Sequence, residues 1–310
     1  MGERVKIVEV GPRDGLQNEK QIIDTSIKLE LIERLVAAGL RNIEVTSFVS
    51  PKWIPQMADQ SAVMQGLKTH AGVSYSVLTP NLQGFEAAVA ADAKEVAVFA
   101  AASETFSRKN INASIAQSLE RFVPVTEQAL KLGLKIRGYV SCVLGCPYEG
   151  EIDPRRVAQI SKEMFDMGCY EISLGDTIGV GVPDGVKRLI ESVGAQVPVE
   201  TLAGHFHDTY GMAVANVVAA YALGIRTFDA SVAGLGGCPY AAGATGNVAT
   251  EDLVWLFNRT GVETGIDLKQ LVDCAVWISK YLGRSPQSRV AQALNSTRAA
   301  PVNIDPLKLL

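Results

Sequence analysis

Short β-branched, largely apolar runs alternate along this chain with longer stretches whose apolar residues recur at helical spacing. Eight runs predict strands, at residues 5–10, 42–48, 73–78, 95–100, 135–142, 170–174, 201–206 and 227–232. Most are apolar throughout rather than alternating, as expected of parallel strands buried on both faces. Between them the period becomes helical. In residues 25–38, Ile27, Leu31, Ile32, Leu35 and Val36 share one face. Helical stretches end at Ala38-Gly39, Leu132-Gly133, Met167-Gly168 and Leu223-Gly224, and a strand follows each within a few residues. Glycine just past a helix end supplies the left-handed cap that turns the chain back.

Eight strands alternating with helices predict a (β/α)8 TIM barrel. The competing architecture is a doubly wound open sheet. Its dinucleotide turn should follow the first strand, but Gly11-Pro12-Arg13-Asp14-Gly15 does not fit GxGxxG. After an eighth helix at about 250–257, the spacing predicts a further amphipathic helix over 268–282, which caps the barrel or meets a partner. The tail 295–310 carries Pro301 and Pro306 and is expected to be extended. The whole chain then reads as one catalytic domain, with the barrel over about 4–262 and a C-terminal extension over 263–310.

The 310 residues are 47% hydrophobic and 20% charged, enough for one large core. A net charge of -4 with no basic arm argues against a nucleic-acid partner. No apolar run is long enough to span a bilayer, so no membrane partner is expected. A strand pattern begins almost at the first residue and leaves no room for a signal or transit peptide, and Lys6 does not fit a myristoylation signal. The five cysteines, Cys142, Cys146, Cys169, Cys238 and Cys274, form no CxxC pair. Together these features predict a reduced, cytoplasmic protein.

In such barrels catalytic groups sit at the C-terminal ends of the strands. The unusual polar residues of this chain fall there. Arg13 and Asp14 follow strand one, Glu44 and Ser47 lie in and at the end of strand two, and Ser103 and Glu104 follow strand four. Asp176 follows strand six, His205 and His207 end strand seven, and Cys238 and Asn247 follow strand eight. Repeated around the ring, this placement is hard to explain as packing.

His205 and His207 are two of only three histidines. Residues two apart on a strand face one side, so both imidazoles can point at one spot. Reading them as core histidines requires hydrogen-bond partners that an apolar core lacks. His70 stands alone near a helix end and reads as a surface residue. Asp14 taken by itself is a turn residue. Beside Arg13 at the mouth of strand one, it reads as a third metal ligand. Asn247 offers a carbonyl oxygen, but Asn after Gly is also loop vocabulary, and the residues alone leave both open. Two imidazoles with oxygen ligands suit Mg²⁺ or Mn²⁺ better than structural zinc. Cys238 lies among Gly234, Gly236, Gly237, Gly243 and Gly246, a setting for a reactive thiol that approaches substrate. The other cysteines read as small buried apolar side chains. Lys20, with Arg108 and Lys109, is either a contact for a phosphorylated cofactor or a solvated charge.

These pieces resemble the 3-hydroxy-3-methylglutaryl-CoA lyases, divalent-metal-dependent barrel enzymes related to Claisen-type condensing enzymes. The matching stretches are VEVGPRDGLQNE, IEVTSFVSPKWIPQMAD, LTPNLQGFEAA, RGYVSCVLGCPYEG, EISLGDTIGVG, HFHDTYGMAVAN and SVAGLGGCPYAAGATGNVATEDL. They run in order through nearly the whole chain, and the loop around Cys238 is specific to these lyases. The resemblance implies Asp14, His205, His207 and Asn247 as metal ligands. It implies Arg13 facing the thioester carbonyl, Cys238 as the catalytic cysteine, and Glu44 and Asp176 as supporting acids. Ser47 is a candidate substrate contact, and Lys20 a candidate contact for CoA. The tail carries no cysteine after Cys274, so the thiol switch of some family members is not expected.

The implied reaction is a retro-Claisen cleavage of an acyl-CoA to acetyl-CoA and acetoacetate, in leucine degradation or ketone-body formation, by a homodimer. Asp14 or a nearby acid is the candidate first base, and Cys238 the candidate final acid. The rivals are a lyase for a longer 3-hydroxy-3-methyl acyl-CoA and a condensing enzyme joining acetyl-CoA to a 2-oxo acid. A non-catalytic barrel would be expected to lose one of Arg13, Asp14, His205, His207 or Cys238, and all are present.

Overall fold

A computed structural model describes residues 2–237 and 246–299. Eight parallel strands close into a barrel in chain order. They are β1 (Lys6–Glu9), β2 (Asn42–Ser47), β3 (Ser74–Leu78), β4 (Glu95–Ala101), β5 (Lys135–Ser141), β6 (Glu171–Asp176), β7 (Leu202–Phe206) and β8 (Thr227–Ala230). Closure is made by β1 against β8, from Lys6↔Thr227 to Glu9↔Ala230. The expected barrel is therefore present, and every expected strand overlaps its counterpart to within two residues at each end.

Helices α1 (Thr25–Ala37), α2 (Gln60–Gly66), α3 (Leu82–Ala90), α4 (Glu104–Ile111), α5 (Ile115–Lys131), α6 (Pro154–Asp166), α7 (Pro183–Gly194), α8 (Ala213–Ala222) and α9 (Thr250–Arg259) surround it. Their starts follow local chemistry. Ser114 and Gln117 form a reciprocal capping box on α5, and Asp153 caps α6 ahead of Pro154. At the α1–β2 joint Gly39 has φ 105°, and a Cβ there would lie 2.4 Å from the Gly265 carbonyl. Only glycine fits that turn.

Two C-terminal helices follow rather than one: α10 (Leu268–Tyr281) and α11 (Arg289–Ala299). The expectation of an extended tail from residue 295 is corrected, since α11 runs through 299. Its start is fixed by Ser288, whose Oγ accepts from Ala291 N at 3.0 Å and donates to Asp252 at 2.7 Å. That partner lies on α9 and cannot be read locally. Helix α4 was also unforeseen, because Glu104–Ile111 is mostly polar; Ser103 caps it, accepting from Phe106 N at 3.1 Å.

A charged column fills the barrel interior beneath the site. Lys6 meets Glu171 at the bottom. Arg137, 1% exposed, joins Glu171 at 2.8 Å and Asp229 at 2.7 Å. Asp229 accepts from Ser173 Oγ at 2.7 Å and reaches His205 Nδ1 at 3.1 Å. Breaking a buried pair leaves uncompensated charge, a cost of about 3–5 kcal/mol. Arg137→Met should therefore destabilise the fold by about that much in urea unfolding. A loss below ~1 kcal/mol would mean that water or a shifted side chain replaces the guanidinium.

Candidate metal centre

The site begins with a tight five-residue turn, Gly11–Gly15, directly after β1. It directs Arg13 and Asp14 over the barrel mouth. Gly15 allows the turn to press against the segment after β8, where a Cβ would lie 2.7 Å from Ser231 Oγ. Arg13 is 7% exposed. Its Nε donates to Glu44 on β2 at 2.6 Å, and its Nη1 donates to Asp14 at 2.7 Å. Burial opposes a charge there, but the two carboxylates hold the guanidinium protonated, with its pKa above the usual arginine value. Glu44 is fully buried.

Across the mouth, β7 presents His205, and His207 follows one residue past its end. The rings lie 5.3 Å apart. One ligand atom from each of Asp14, His205 and His207 lies within 4.8 Å of the other two. The pair does share one side. His205 is oriented by Asp229, a carboxylate–imidazole arrangement that fixes the tautomer of a metal-binding histidine. Among the described residues, His207 Nδ1 is buried with no hydrogen-bond partner.

Asn247 is brought in by backbone pairing. The chain returns beside β7, with His207 bridged to Asn247 and Val248 N donating to Phe206 O at 2.9 Å. Asn247 Nδ2 donates to Asp14 at 2.8 Å and to Leu235 O at 3.3 Å, while its buried Oδ1 has no partner among the described residues. Buried polar atoms without partners are rare and costly. Here two of them border a carboxylate and a second imidazole. Donors of this kind suit a divalent cation that takes nitrogen and oxygen, so the cluster fits a divalent metal.

The electrostatics agree with that use. Burial pushes Asp14 upward, but Arg13, the two histidines and the Asn247 amide overcome it and hold the carboxyl at about 2. Burial and the neighbouring His205 hold His207 at about 4, so it is neutral and able to ligate near pH 7. Asp176 is the last residue of β6 rather than the one after it. Burial raises it to about 6 against backbone N–H bonds from the following turn, including Gly181 N at 2.8 Å. It holds that turn, whose neighbour His207 donates its backbone N–H to Asp176 O at 3.4 Å.

The remaining expectations divide. Ser47 is fully buried at the end of β2, and its Oγ has no partner among the described residues. Lys20 is exposed in the loop after the first turn. Arg108 and Lys109 are exposed on α4, where Lys109 covers the Tyr148 ring at 4.1 Å. His70 is half-buried and meets Glu33 at 3.1 Å. Cys142, Cys146, Cys169 and Cys274 are buried, as expected, and none is in a disulfide among the described residues. Cys238 and Gly243 lie outside the described residues. Asn18 Nδ2 does reach Gly237 O, the residue before Cys238, at 2.8 Å. Sequence reasoning missed Asp229, Arg137, Glu171 and Tyr139, a β5 residue whose OH accepts from Arg137 Nη1 at 2.8 Å. Their signal was available: polar residues at alternate positions in otherwise apolar strands point into a barrel.

Fold and site together define a (β/α)8 barrel with an Asp–His–His centre suited to a divalent cation. The HMGL-like family profile matches residues 4–278. Over 292 residues the chain is 60% identical to the 3-hydroxy-3-isohexenylglutaryl-CoA/hydroxy-methylglutaryl-CoA lyase of Pseudomonas aeruginosa, covering 94% of this chain and 97% of that protein. It is 59% identical to the mitochondrial hydroxymethylglutaryl-CoA lyase of Gallus gallus, over 94% of this chain and 98% of the relative. An HMG-CoA lyase from Acinetobacter baumannii, solved in complex with coenzyme A and 3-methylmalate, superposes with a TM-score of 0.91 at 38% identity, covering 98% of this chain and 97% of that one. The chain belongs to the HMGL-like family. Among the described residues no helix is long and apolar enough to cross a membrane.

Proposed function

We propose that this chain is a metal-dependent carbon–carbon lyase that cleaves (S)-3-hydroxy-3-methylglutaryl-CoA to acetyl-CoA and acetoacetate. The observation that carries the reading is the convergence of Asp14, His205 and His207 beside the unpartnered Asn247 Oδ1 and the buried Arg13. Identity near 60% to lyases of this name, over nearly their full length, supports the substrate class. The coenzyme A complex of the A. baumannii relative supports an acyl-CoA ligand.

Asp14, His205, His207 and Asn247 would hold the cation, for which Mg²⁺ and Mn²⁺ are the fitting candidates. When bound, it supplies a Lewis acid that lowers the pKa of a coordinated hydroxyl. The chain's own residues do the rest. Asp14 is so strongly held in its ionised form that it serves as a ligand better than as a base. Loss of the substrate's tertiary hydroxyl proton to a nearby carboxylate acting as base allows its C2–C3 bond to break, and C3 becomes the ketone of acetoacetate. The electron pair moves to C2 and the thioester oxygen. Arg13 faces that charge: Nη1 donates to Asp14 at 2.7 Å and Nη2 lies 2.5 Å from Glu44, and each of these terminal nitrogens carries a second N–H. Cys238 returns a proton to C2, giving acetyl-CoA. Ser47 contacts the substrate, Glu44 and Asp176 keep the site in shape, and Lys20 meets the solvent end of CoA.

The test is acetoacetate release from the CoA ester, before and after EDTA and again with Mn²⁺ restored. Metal-dependent release is expected; no release with metal present would overturn the reading. A second reading follows from the P. aeruginosa relative, whose name includes a longer 3-substituent. Assaying 3-hydroxy-3-isohexenylglutaryl-CoA beside the methyl substrate decides how wide the acyl pocket is. Four buried cysteines outside any disulfide among the described residues suit a reducing compartment such as the cytoplasm. The homodimer expected of the family completes the proposal, and light scattering measures it.

A further inference from the structure

Glu9 is the last residue of β1 and is fully buried, yet its partners are neutral. One carboxylate oxygen, Oε1, accepts from Gly11 N at 2.8 Å and from Val232 N at 2.9 Å. The other, Oε2, accepts from Thr250 Oγ1 at 2.7 Å. These three donors belong to three different stretches. Gly11 opens the turn that carries Arg13 and Asp14. Val232 opens the turn after β8 that leads toward the glycine-rich loop. Thr250 begins α9, three residues after Asn247.

The stretches meet at close quarters. A Cβ at Gly11 would sit 2.5 Å from Glu9 Oε1 and 3.2 Å from Ser231 Oγ. Next to Val232, Ala233 is held at φ 60°, a left-handed conformation that is strained for alanine. Its N–H is taken by a second buried carboxylate, Glu251, at 2.9 Å. The turn that Glu9 grips is thus one the chain would not adopt without support.

We infer that Glu9 is a positioning residue that sets Asp14 against Asn247 by tying the first turn, the turn after β8 and the start of α9 to one carboxyl group. The effect passes through the 2.8 Å bond from Asn247 Nδ2 to Asp14. That bond leaves Asn247 Oδ1 as its remaining polar atom in the centre. Geometry rather than charge is what Glu9 supplies. A glutamine there keeps both N–H bonds on Oε1 and donates from Nε2 to Thr250 Oγ1, whose hydroxyl rotates to accept.

The inference rests on the proposed metal centre, so the first measurement is Mn²⁺ affinity of the wild-type protein by EPR. Absence of Mn²⁺ binding there would remove the centre itself, whatever Glu9 does. Given wild-type binding, Glu9→Gln should bind Mn²⁺ and turn over within about 3-fold of it, whereas Glu9→Ala should weaken Mn²⁺ binding and kcat about 10- to 100-fold, as loss of an outer-shell partner does. An Ala variant with a lower Tm but wild-type Mn²⁺ affinity would reduce Glu9 to a packing residue and overturn the inference. So would a Gln variant as impaired as Ala. If Glu9→Ala does not fold, Thr250→Val decides, because it removes one bond and preserves shape. A weakening of about 10-fold supports the positioning role, and unchanged affinity refutes it.

Discussion

Replacing Arg13 by Met should lower turnover by at least ~100-fold while Mn²⁺ still binds. The guanidinium is already ordered before substrate arrives, gripped by Glu44 on one side and Asp14 on the other. A donor held in place in a buried site stabilises developing charge without reorganisation, and losing one typically costs about 3–4 kcal/mol. The proposed cleavage puts negative charge on the thioester oxygen only as the bond breaks, so the loss should fall on kcat more than on KM. Two side effects must be separated from it. Glu44 would be left buried without its cation, so Tm must be measured and rates taken well below it. Asp14 would lose one partner, but the Asn247 amide still donates to its carboxylate. Near-wild-type turnover by a folded, Mn²⁺-loaded Met variant would remove Arg13 from the chemistry.

The barrel was legible because its signal is periodic. Strands buried on both faces read as apolar runs, and glycine-capped helix ends repeat at each return. His205 and His207 were legible for the same reason, since a spacing of two on a strand fixes a shared side. Asp14 gained meaning only from its neighbour Arg13 and the strand end before it. Asn247 is balanced between ligand and loop residue in the sequence; its bridge to His207 and the bond from its amide to Asp14 come from residues far along the chain, so no local pattern carries them. The column beneath was not legible as a network. Arg137 and Asp229 are separated by 92 positions, and no local pattern pairs them. Glu9 is hidden likewise: within Lys6–Glu9 it looks like the polar end of a strand, while two of its three donors come from beyond residue 230. The tail failed for a related reason, because the residue that starts α11 is fixed by Asp252 on another helix.

Replacing His207 by Ala should weaken Mn²⁺ affinity by at least ~100-fold, beyond the 10- to 100-fold typical of losing an outer-shell partner. The imidazole is buried, held neutral with a pKa of about 4, and its Nδ1 lacks a partner. A ring kept neutral by burial binds a cation without first releasing a proton. Losing it leaves Asp14 and His205 as the remaining members of the three-residue cluster, with Asn247 alongside. Two oxygens and one imidazole still attract a divalent ion, so residual binding at millimolar Mn²⁺ is expected rather than none. Fold stability should change little, since the removed side chain satisfies no other polar group through Nδ1. Titrating metal-free protein with Mn²⁺ and following the free-ion EPR signal measures this directly. Because the variant keeps Arg13 in place, saturating it with Mn²⁺ should restore part of the turnover, whereas the Met variant at position 13 should gain nothing from added metal. Unchanged affinity in the Ala variant would place the cation elsewhere and leave His207 as a buried imidazole without a ligand role.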